Sequence, residues 1–459
     1  MPQRKIDRGQ RRSTRRGWRV RTLALAVLAL ASAAGAQQAG APAAGALGLA
    51  DALSAIAAHS QAAVAAGLDV ETARQATDRA HSPYDPSVSL SLGHFDRDSA
   101  VIGVLGALRA PETEKNFFVG ELDVTYLLWD GGRRSSRLAS SRSAEAATTM
   151  RGRADVVSAE VEGLAAYLRA LTLKAQRRVV EQRVASLQDH LREVRDLFEH
   201  GVVARNDLLA TEVRLRSVED QATAIDNGEA VAAESLNRLM GRDPAVHLEL
   251  PAELPPPPPL PDAIEILEKR ALDANPQVQA LRARLAAERS VVAARRGENY
   301  PSVVAEASHT YQQDRFLVYP NANILFLGLS WQAYDGGARR AEVRAAQIAV
   351  ERTQSELDDL AHRLAVAIDQ AHRDYLQALK EAGTARTNVA AAEENLRIEE
   401  DQYRAGLART TDVLDAEAVL AESRFAMANQ HYEAYLRAGL VLSIAGEDLP
   451  AFFAAVREQ

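Results

Sequence analysis

Two short stretches decide the fold of this 459-residue chain: Trp129-Asp130-Gly131-Gly132-Arg133 and Tyr334-Asp335-Gly336-Gly337. The Asp-Gly-Gly triplet recurs after 205 residues, from position 130 to position 335, and two other landmarks recur at the same offset. These landmarks are Gly201 with Asp207, matched by Gly406 with Asp412, and Gly241, matched by Gly446. A shared offset across three separated landmarks indicates a tandem duplication, which sets the architecture before any single residue is interpreted.

Both copies are predicted to have the same order of elements: helix, strand, loop, strand, very long helix, tight turn and helix. The first copy, residues 37–250, has a helix at 48–84, strands at about 86–96 and 117–129, a long helix at 133–198, a tip turn at 199–206 and a return helix at 207–240. The second copy, residues 262–459, has the corresponding elements at 262–298, about 301–311, about 323–334, 338–403, 404–411 and 412–445. The predicted class is therefore mainly α with a small β part.

The long helices follow from 66-residue runs without proline that are rich in Ala, Leu, Arg and Glu. At 1.5 Å per residue each helix would be about 100 Å long, so it must pack sideways against other helices. Heptad-like Leu and Val positions with abundant alanine favour coiled-coil packing. The return helices cover about half of this length, and we expect the helices before the strands to cover the rest.

The strand segments alternate apolar and polar residues. Val88, Leu90 and Leu92 alternate with Ser87, Ser89 and Ser91, while Phe118, Leu122, Val124 and Tyr126 oppose Glu121, Asp123 and Thr125. The 205-residue offset places Leu327, Leu329 and Trp331 on the same apolar face. This alternation is typical of a barrel wall that faces lipid, and the aromatic residues suit a membrane interface. A small soluble hairpin in each copy is the alternative.

Two connecting segments differ in character. The loop at about 96–116 holds the ten residues by which the first copy is longer between its strands, as expected where insertions are tolerated. The linker at 251–261 contains five consecutive prolines, from Pro255 to Pro259, and is predicted to be a stiff polyproline spacer between the repeats. A ligand for an SH3-type domain is the alternative for that linker.

The composition limits the class of protein and its location. With 47% apolar residues, 25% charged residues and a net charge of −8, the chain is neither a helical membrane protein nor disordered, and nucleic-acid binding is disfavoured. Residues 1–36 combine an arginine-rich start, the apolar run Leu23 to Ala31 and Ala34-Gly35-Ala36, the pattern of a cleaved signal peptide. An uncleaved anchor is the alternative, but about ten apolar residues are too few to span a bilayer.

Some classes of chemistry have no support in the sequence. Cysteine is absent, so neither disulfides nor a lipid-anchored amino terminus is expected. The ten histidines include no HExxH pair, and Ser, Asp and His form no recognisable nucleophilic motif. We therefore expect no enzyme, no cofactor and no resident metal.

Four strands per chain cannot close a barrel, which needs at least about eight. Three chains would supply twelve strands and an open lumen, from which the long helices would continue as a tube. Two chains would instead supply eight strands, whose side chains would fill the interior. The apolar face of such a barrel would contact membrane lipid.

The two-copy plan and the two Asp-Gly-Gly junctions occur together with Tyr403-Arg404-Ala405-Gly406 and Thr411-Asp412-Val413-Leu414-Asp415-Ala416. In this order and spacing the chain resembles the TolC family of outer-membrane channel proteins over nearly all of its mature length. The resemblance implies a homotrimer with a 12-stranded β-barrel and an α-helical tunnel. This channel would contact outer-membrane lipid of a Gram-negative bacterium and have a periplasmic extension. The resemblance also implies a periplasmic adaptor and an inner-membrane transporter, either ABC or proton-driven, as partners in efflux or type I secretion.

The resemblance also implies roles for residues at the tip. Asp412 and Asp415, three positions apart, share a helix face and would form carboxylate rings at a periplasmic gate. For Asp412 the alternative is simple stabilisation of the helix amino terminus, which is the role expected of Asp207. Tyr403 matches a latch tyrosine of the family, but Ala408 occupies the position of the latch arginine, so Arg409 or Arg205 is expected to replace it.

Other residues are assigned to docking or to structure. The tip turns, with Gly201, Asn206, Asp207, Gly406 and Thr411, are expected to dock the adaptor, with Asn206 and Thr411 as helix caps. The alternative role of these turns is helix capping alone. Asp130, Gly131 and Gly132, and likewise Asp335, Gly336 and Gly337, are expected to shape the bend between strand and helix.

Two other functional classes remain open. An exported coiled-coil structural or adaptor protein without a pore would share the long helices but lack lipid-facing strands. A soluble periplasmic chaperone would not need two matched hairpins. Within the channel class, drug efflux and protein secretion are not distinguished by the sequence.

Overall fold

The computed structural model describes residues 46–257, 259–260 and 263–457. The predicted signal peptide, 1–36, lies outside these residues. Over the described part the chain is mainly α-helical with a small sheet, so the predicted fold class is confirmed. Within that part, no helix has an apolar stretch long enough to cross a membrane.

The elements of the first copy are α1 (Leu49–His59), α2 (Gln61–His81), β1 (Ser87–Asp96), β2 (Ile102–Leu105), β3 (Leu108–Pro111), β4 (Asn116–Trp129), α3 (Arg133–Glu199) and α4 (Arg205–Leu239). Those of the second copy are α5 (Ile264–Ala274), α6 (Pro276–Gly297), β5 (Ser302–Gln313), β6 (Asn321–Ser330), α7 (Ala338–Arg404), α8 (Thr410–Ala445) and α9 (Leu449–Arg457). The two long helices, α3 and α7, have 67 residues each.

The prediction of one continuous helix before the strands in each copy was wrong. Ser60 separates α1 from α2, and Asn275 separates α5 from α6; both residues leave the helical conformation and cap the following helix. The Ser60 hydroxyl accepts from the amide of Ala63 at 3.2 Å, and the Asn275 side chain accepts from the amide of Gln277 at 2.9 Å. These local hydrogen bonds compete with helix continuation, and Pro276 has no amide hydrogen to continue the first helix.

Two further boundaries differ from the prediction. The segment at 96–116 is not a plain loop, because β2 and β3 pair within it as a short antiparallel hairpin. The last strand ends at Ser330 rather than 334, because its partner β5 begins at Ser302, opposite Ser330, and offers no backbone partner beyond it. Trp331 therefore lies outside the strand, where its indole N–H donates to the carbonyl of Asn299 at 3.1 Å.

The main sheet is antiparallel, with the order β1-β4-β5-β6, so one hairpin from each copy meets its neighbour through β4 and β5. The register aligns Leu90 with Leu122 and Ser89 with Asp123. Across the sheet, one face therefore carries Val88, Leu90, Leu92, Leu122, Val124, Tyr126, Leu325, Leu327 and Leu329, and the other carries Ser87, Ser89, Ser91, Glu121, Asp123, Thr125, Glu306, Ser308 and Thr310. The β6 residues Ile324 and Phe326 depart from this separation, because they lie on the polar face.

The helices pack lengthwise. In the first copy α3 contacts α2 along one part of its length and α4 along another, while α7 pairs with α8 and α6 contacts both α3 and α7. The main hydrophobic cluster includes the region where α1, α3, α8 and α9 meet, around the fully buried Leu53, Ile56, Leu164 and Tyr167. Helix α9, which the sequence analysis did not predict, buries Leu449 and Phe453 there.

The chain between α4 and α5 forms a strap, residues 248–257, that lies against the helices. The ammonium of Lys174 donates to the carbonyl of Leu250 at 2.6 Å, and the Tyr435 hydroxyl donates to the carbonyls of Pro255 at 2.6 Å and Pro256 at 3.3 Å. Leu250 is buried in the same core as α1 and α3. Because proline offers a carbonyl but no amide hydrogen, the helices must supply the donors that hold the strap.

A buried carboxyl lies near this core. Glu160 of α3 is only 7% exposed. Burial raises its pKa to about 7, with a further increase from the charge of Asp448 and an opposing effect from Arg153. Since the folded pKa exceeds the ordinary value of 4.5, the unfolded chain loses this proton first as pH rises. The free energy of unfolding therefore falls between about pH 4.5 and about pH 7.

Glu160→Gln should remove this loss. We expect its apparent Tm in detergent to exceed that of the wild type by about 2–4 °C at pH 8, with the difference vanishing below pH 4.5. Glu162→Gln, at an exposed position two residues away, is the matched control and should show no such pH dependence. A difference between Glu160→Gln and wild type that is the same at all pH values would contradict the role of this proton.

Candidate functional site

The junctions between strand and helix are built on one carboxylate in each copy. Asp130 accepts from the amide of Arg134 at 2.7 Å, and Asp335 accepts from the amide of Arg339 at 2.9 Å. Each carboxylate thereby satisfies an amide in the first turn of a long helix, which otherwise has no intrahelical partner. Between carboxylate and helix, the two glycines of each copy have φ between 68° and 94°, in the left-handed region. The chain thus turns sharply from sheet to helix.

An arginine four positions after the aspartate completes each junction. Arg134 donates to the carbonyls of Leu127 at 2.5 Å and Leu128 at 3.0 Å, and its guanidinium lies 4.7 Å from the ring centroid of Tyr84. Arg339 donates to Asp335 at 2.6 Å and to the carbonyl of Glu298 at 2.8 Å. The hydrogen bond from Arg339 is the main cause that lowers the pKa of Asp335 to about 2. The shared spacing Asp-Gly-Gly-x-Arg was the signal that could have identified both arginines.

The two junctions differ in the space around their first glycine. A Cβ on Gly131 would lie 2.7 Å from both the carbonyl oxygen of Gly297 and the Cβ of Tyr300, whereas a Cβ on Gly336 would have no atom within 4 Å. The two φ angles are nearly equal, 68° and 69°. Alanine at these two positions therefore allows the cost of steric crowding to be separated from the cost of the left-handed backbone conformation.

Gly336→Ala should cost only the left-handed conformation, about 1–2 kcal/mol. Gly131→Ala should cost that amount plus about 1–3 kcal/mol for the displaced backbone of α6. The apparent Tm of each variant in detergent checks the order, with Gly336→Ala as the conformational control. Equal losses of Tm would show that the close approach of Gly131 to Gly297 does not matter.

The far end of each long helix closes with the same glycine turn. Gly201 and Gly406 have φ of 74° and 71°. In the first copy the amides of Gly201 and Val202 donate to the carbonyls of Phe198 and Leu197, both at 2.9 Å, and Gly406 and Leu407 repeat the pattern. This is the Schellman arrangement, which satisfies the last carbonyls of a helix. Val202 and Leu407, one in each turn, are exposed.

The predicted caps of the return helices were wrong. Asn206 and Thr411 lie within α4 and α8, because these helices begin at Arg205 and Thr410. The capping group is instead the aspartate at the third helical position. Asp207 accepts from the amide of Ala204 at 3.2 Å, and Asp412 accepts from the amide of Arg409 at 2.9 Å. Both carboxylates therefore stabilise a helix start, whichever further role Asp412 has.

Asp412 and Asp415 lie on one exposed face of α8, together with Thr411 and Val419. Asp415 also lines a groove between α4 and α8 that includes Leu209 and Val213 of α4. The position in the first copy equivalent to Asp415 is Ala210, which is exposed as well. The two carboxylates are thus available to other molecules, and Asp412 also caps the start of α8.

Tyr403 contacts neighbours other than the predicted arginines. Its ring lies edge-on to His190 of α3, with ring centroids 5.3 Å apart, and its hydroxyl accepts from Thr410 at 3.5 Å. Among the described residues, neither Arg409 nor Arg205 forms a hydrogen bond with Tyr403, and both are exposed. In the part of the chain that the structure describes, Tyr403 therefore contacts His190 and Thr410 rather than the predicted arginines.

A buried polar cluster that the sequence analysis missed lies behind the tip. Glu417 of α8 accepts from the Ser186 hydroxyl of α3 at 2.5 Å. Burial raises the pKa of Glu417, and the nearby Arg183 and Arg214 oppose that rise. Burial lowers the pKa of Arg183, with Arg214 as the second cause. Nothing in the spacing of these residues, which come from α3, α4 and α8, indicated that they would meet.

Comparison with known protein families shows to which family this chain belongs. The family model described as outer membrane efflux protein matches residues 52–242 and 267–438, more than half of the chain. This chain belongs to the outer membrane efflux protein family. Both matched segments lie within the duplicated copies, and each includes one junction and one tip turn.

Two similar proteins differ in how much of this chain they match. Protein CyaE of Bordetella pertussis (strain Tohama I) is 31% identical over 186 residues, which cover 38% of this chain and 38% of CyaE, so the chain spans about two fifths of that relative. Nodulation protein T of Rhizobium leguminosarum bv. trifolii is 24% identical over 375 residues, covering 78% of this chain and 77% of that protein.

Solved structures share the fold. The crystal structure of the outer membrane protein VceC from Vibrio cholerae has a TM-score of 0.74 and 17% identity, over 87% of this chain and 96% of VceC. The Campylobacter jejuni CmeC outer membrane channel has a TM-score of 0.73 and 14% identity, over 89% of this chain and 88% of CmeC. At these identities the likeness concerns the fold, and the function of this family member has to be argued from its own residues.

Proposed function

We propose that this outer membrane efflux protein assembles as a homotrimer into a passive channel-tunnel. It carries cargo from an inner-membrane transporter through the outer membrane, as part of a tripartite efflux pump or a type I secretion system. The observation that carries this proposal is the four-stranded sheet, which has one apolar face and one largely polar face. Its edges, β1 and β6, pair with no further strand among the described residues. The long helices begin directly at its end.

The apolar face of this sheet has no partner within the described residues. Leu90, Leu327 and Leu329 are 67%, 70% and 68% exposed. Leaving such a surface in water is unfavourable by about 25 cal/mol per Å², and unpaired edge strands invite pairing with other chains. Lipid would cover the apolar face, and the edge strands of neighbouring copies would pair with β1 and β6.

The number of copies follows from the number of strands. Two copies would give eight strands, whose side chains fill the interior, whereas three give twelve strands and an open lumen. Glu121, Asp123 and the serines of β1 would line that lumen, because they share the polar face. The helices, about 100 Å long, would extend this lumen into the periplasm as a tunnel.

The gate is proposed at the tip. In a trimer, Asp412 and Asp415 supply six carboxylates at the narrow periplasmic end, where they would attract cations and repel one another. Their exposure on one face of α8 supports this proposal. The turns at Gly201 and Gly406, with Asp207 and Thr411 beside them, present the exposed tip to a periplasmic adaptor. An ABC or proton-driven transporter would then supply the cargo.

Cysteine pairs test the trimer, because the chain has no cysteine of its own. Leu90→Cys in β1 combined with Leu325→Cys in β6 places the two thiols at opposite edges of one sheet. A flexible bismaleimide should then link different copies, and a closed ring of three gives covalent trimers as the largest product on denaturing gels.

The matched control for that experiment is Leu90→Cys with Leu122→Cys, whose positions are directly paired within one chain. This pair should cross-link only within the chain, because opposite residues in a sheet lie about 5 Å apart. Products no larger than a monomer from the edge pair would favour an exported coiled-coil protein without a pore, and an open ladder of larger products would exclude a closed trimer.

Asp412→Ala combined with Asp415→Ala tests the gate in planar lipid bilayers. We expect a higher single-channel conductance and at least about tenfold weaker block by a trivalent cation, because each carboxylate attracts even a unit charge at 4 Å by about 1 kcal/mol in water. Asp207→Ala is the control, since it removes the same kind of capping hydrogen bond without removing a proposed gate charge. Unchanged block in the double variant would remove the gate assignment and leave the channel intact.

A further inference from the structure

The end of the sheet where the long helices begin carries exposed aromatic side chains. Trp129, Tyr300 and Trp331 are 46%, 57% and 59% exposed. The rings of Trp129 and Tyr300 meet edge to face, with their centroids 6.4 Å apart. The indole of Trp331 donates to the carbonyl of Asn299, the residue before Tyr300. These three rings therefore form one aromatic patch at the first junction.

The aromatic patch continues the apolar face of the sheet. The bulged register at the end of β4 places Trp129 opposite Val303, which in turn lies opposite Leu329 of the apolar face. Residues that are directly paired in a sheet lie on the same face, so Trp129 marks the end of that face. Where lipid covers the apolar face, the aromatic patch lies at the boundary between hydrocarbon and water, the level that tryptophan and tyrosine favour.

Two arginines lie beside the aromatic patch. The stem of Arg133 lies against Gly297, because a Cβ on that glycine would be 2.9 Å from Cγ of Arg133. Arg296 precedes Gly297, whose carbonyl accepts from the amide of Tyr300 at 3.1 Å. Arg296 is exposed and Arg133 is partly exposed. The side chains of both arginines are thus accessible at the level of Tyr300.

Neither of these arginines has its charge balanced by a carboxylate. The Nε of Arg133 donates to a main-chain carbonyl, and among the described residues neither Arg133 nor Arg296 forms an ion pair. The nearby Glu298 instead pairs with Arg295 at 3.1 Å and lies 3.7 Å from Arg137. Positive charge is therefore left at the boundary where the apolar face ends.

The chemistry of this surface selects its partner. A planar guanidinium with several N–H donors matches the oxygens of a phosphate group. At a membrane boundary, the phosphate belongs to a lipid headgroup. A zwitterionic headgroup carries its own ammonium group, whereas an anionic headgroup leaves its negative charge for the protein to balance. Arginines close to a membrane surface therefore favour anionic lipids.

We propose that the aromatic patch with Arg133 and Arg296 binds an anionic phospholipid in the leaflet nearest the long helices. The two guanidinium groups contact the phosphate, and the three rings contact the start of the acyl chains. This proposal rests on the channel proposed above, because it needs the apolar face of the sheet to lie in a membrane. It deepens that proposal by naming the lipid that the boundary selects.

Tryptophan fluorescence tests the site, because Trp129 and Trp331 are the only tryptophans besides Trp18 of the predicted signal peptide. The purified protein is reconstituted into vesicles that mix phosphatidylglycerol with phosphatidylcholine, and one of the two lipids carries brominated acyl chains. Bromine quenches tryptophan at short range, so the two series give the relative affinity of the lipids. We expect phosphatidylglycerol to bind at least about fivefold more tightly, the effect of one arginine near an anionic surface.

Substitutions locate the preference. Arg133→Gln combined with Arg296→Gln should bring the ratio of affinities to about one. Arg142→Gln, at an exposed position about 13 Å further along α3, is the matched control and should keep the preference of the wild type. Equal affinities in the wild type, or a preference that survives in the double variant, would overturn the proposal.

Two further measurements keep this test independent of folding and of the channel. About 1 M salt should weaken the preference in the wild type, because it screens exposed charges; a preference that salt leaves unchanged would contradict the role of the arginines. Brominated phosphatidylcholine alone should quench the double variant as it quenches the wild type. Quenching without preference would remove only the lipid site, whereas absence of quenching in the wild type would remove the proposed channel as well.

Discussion

The hydrogen bond that one aspartate accepts from the first turn of a long helix determines where the rest of this molecule lies. In both copies the carboxylate holds a helical amide, two glycines take up left-handed conformations, and an arginine four residues later ties the helix to the end of the sheet. The sheet therefore stays at one end, while a helix of 67 residues extends away from it. Without this bend, the position of the helix tips relative to the apolar face of the sheet would not be fixed.

Much of the fold was predictable because some positions accept few residue types for reasons of backbone geometry, and the duplication repeats these positions in both copies. Glycines with positive φ, such as Gly201 and Gly406, occupy equivalent places in the two copies, since few other residues adopt that conformation without strain. The breaks at Ser60 and Asn275 were missed, although they too are equivalent, because a capping side chain looks like any polar residue inside a helical pattern. Helix α9 was missed because it lies beyond the duplicated landmarks.

The candidate site was less predictable, because its surroundings come from tertiary packing. Glu417 and His190 are ordinary helix residues in the sequence, and only the approach of α3 to α8 buries them. The comparison between copies shows how far the tips have diverged. Glu212, which corresponds to Glu417, pairs with Arg195 at 3.4 Å, whereas Glu417 has no ionic partner within 4 Å among the described residues. The functions of Asp412, Asp415 and Tyr403 in this chain remain predictions.

The strap that joins the two copies has a consequence for how the chain can vary. Its attachments to Lys174 and Tyr435 are made through main-chain carbonyls, and every amino acid carries a carbonyl. Exchanging Pro255 or Pro256 for another residue leaves these acceptors in place, whereas losing the donor side chain removes the attachment. Evolutionary constraint on the connection between the repeats should therefore fall on the helices that receive the strap and on the buried Leu250, whereas Pro255 and Pro256 are free to change.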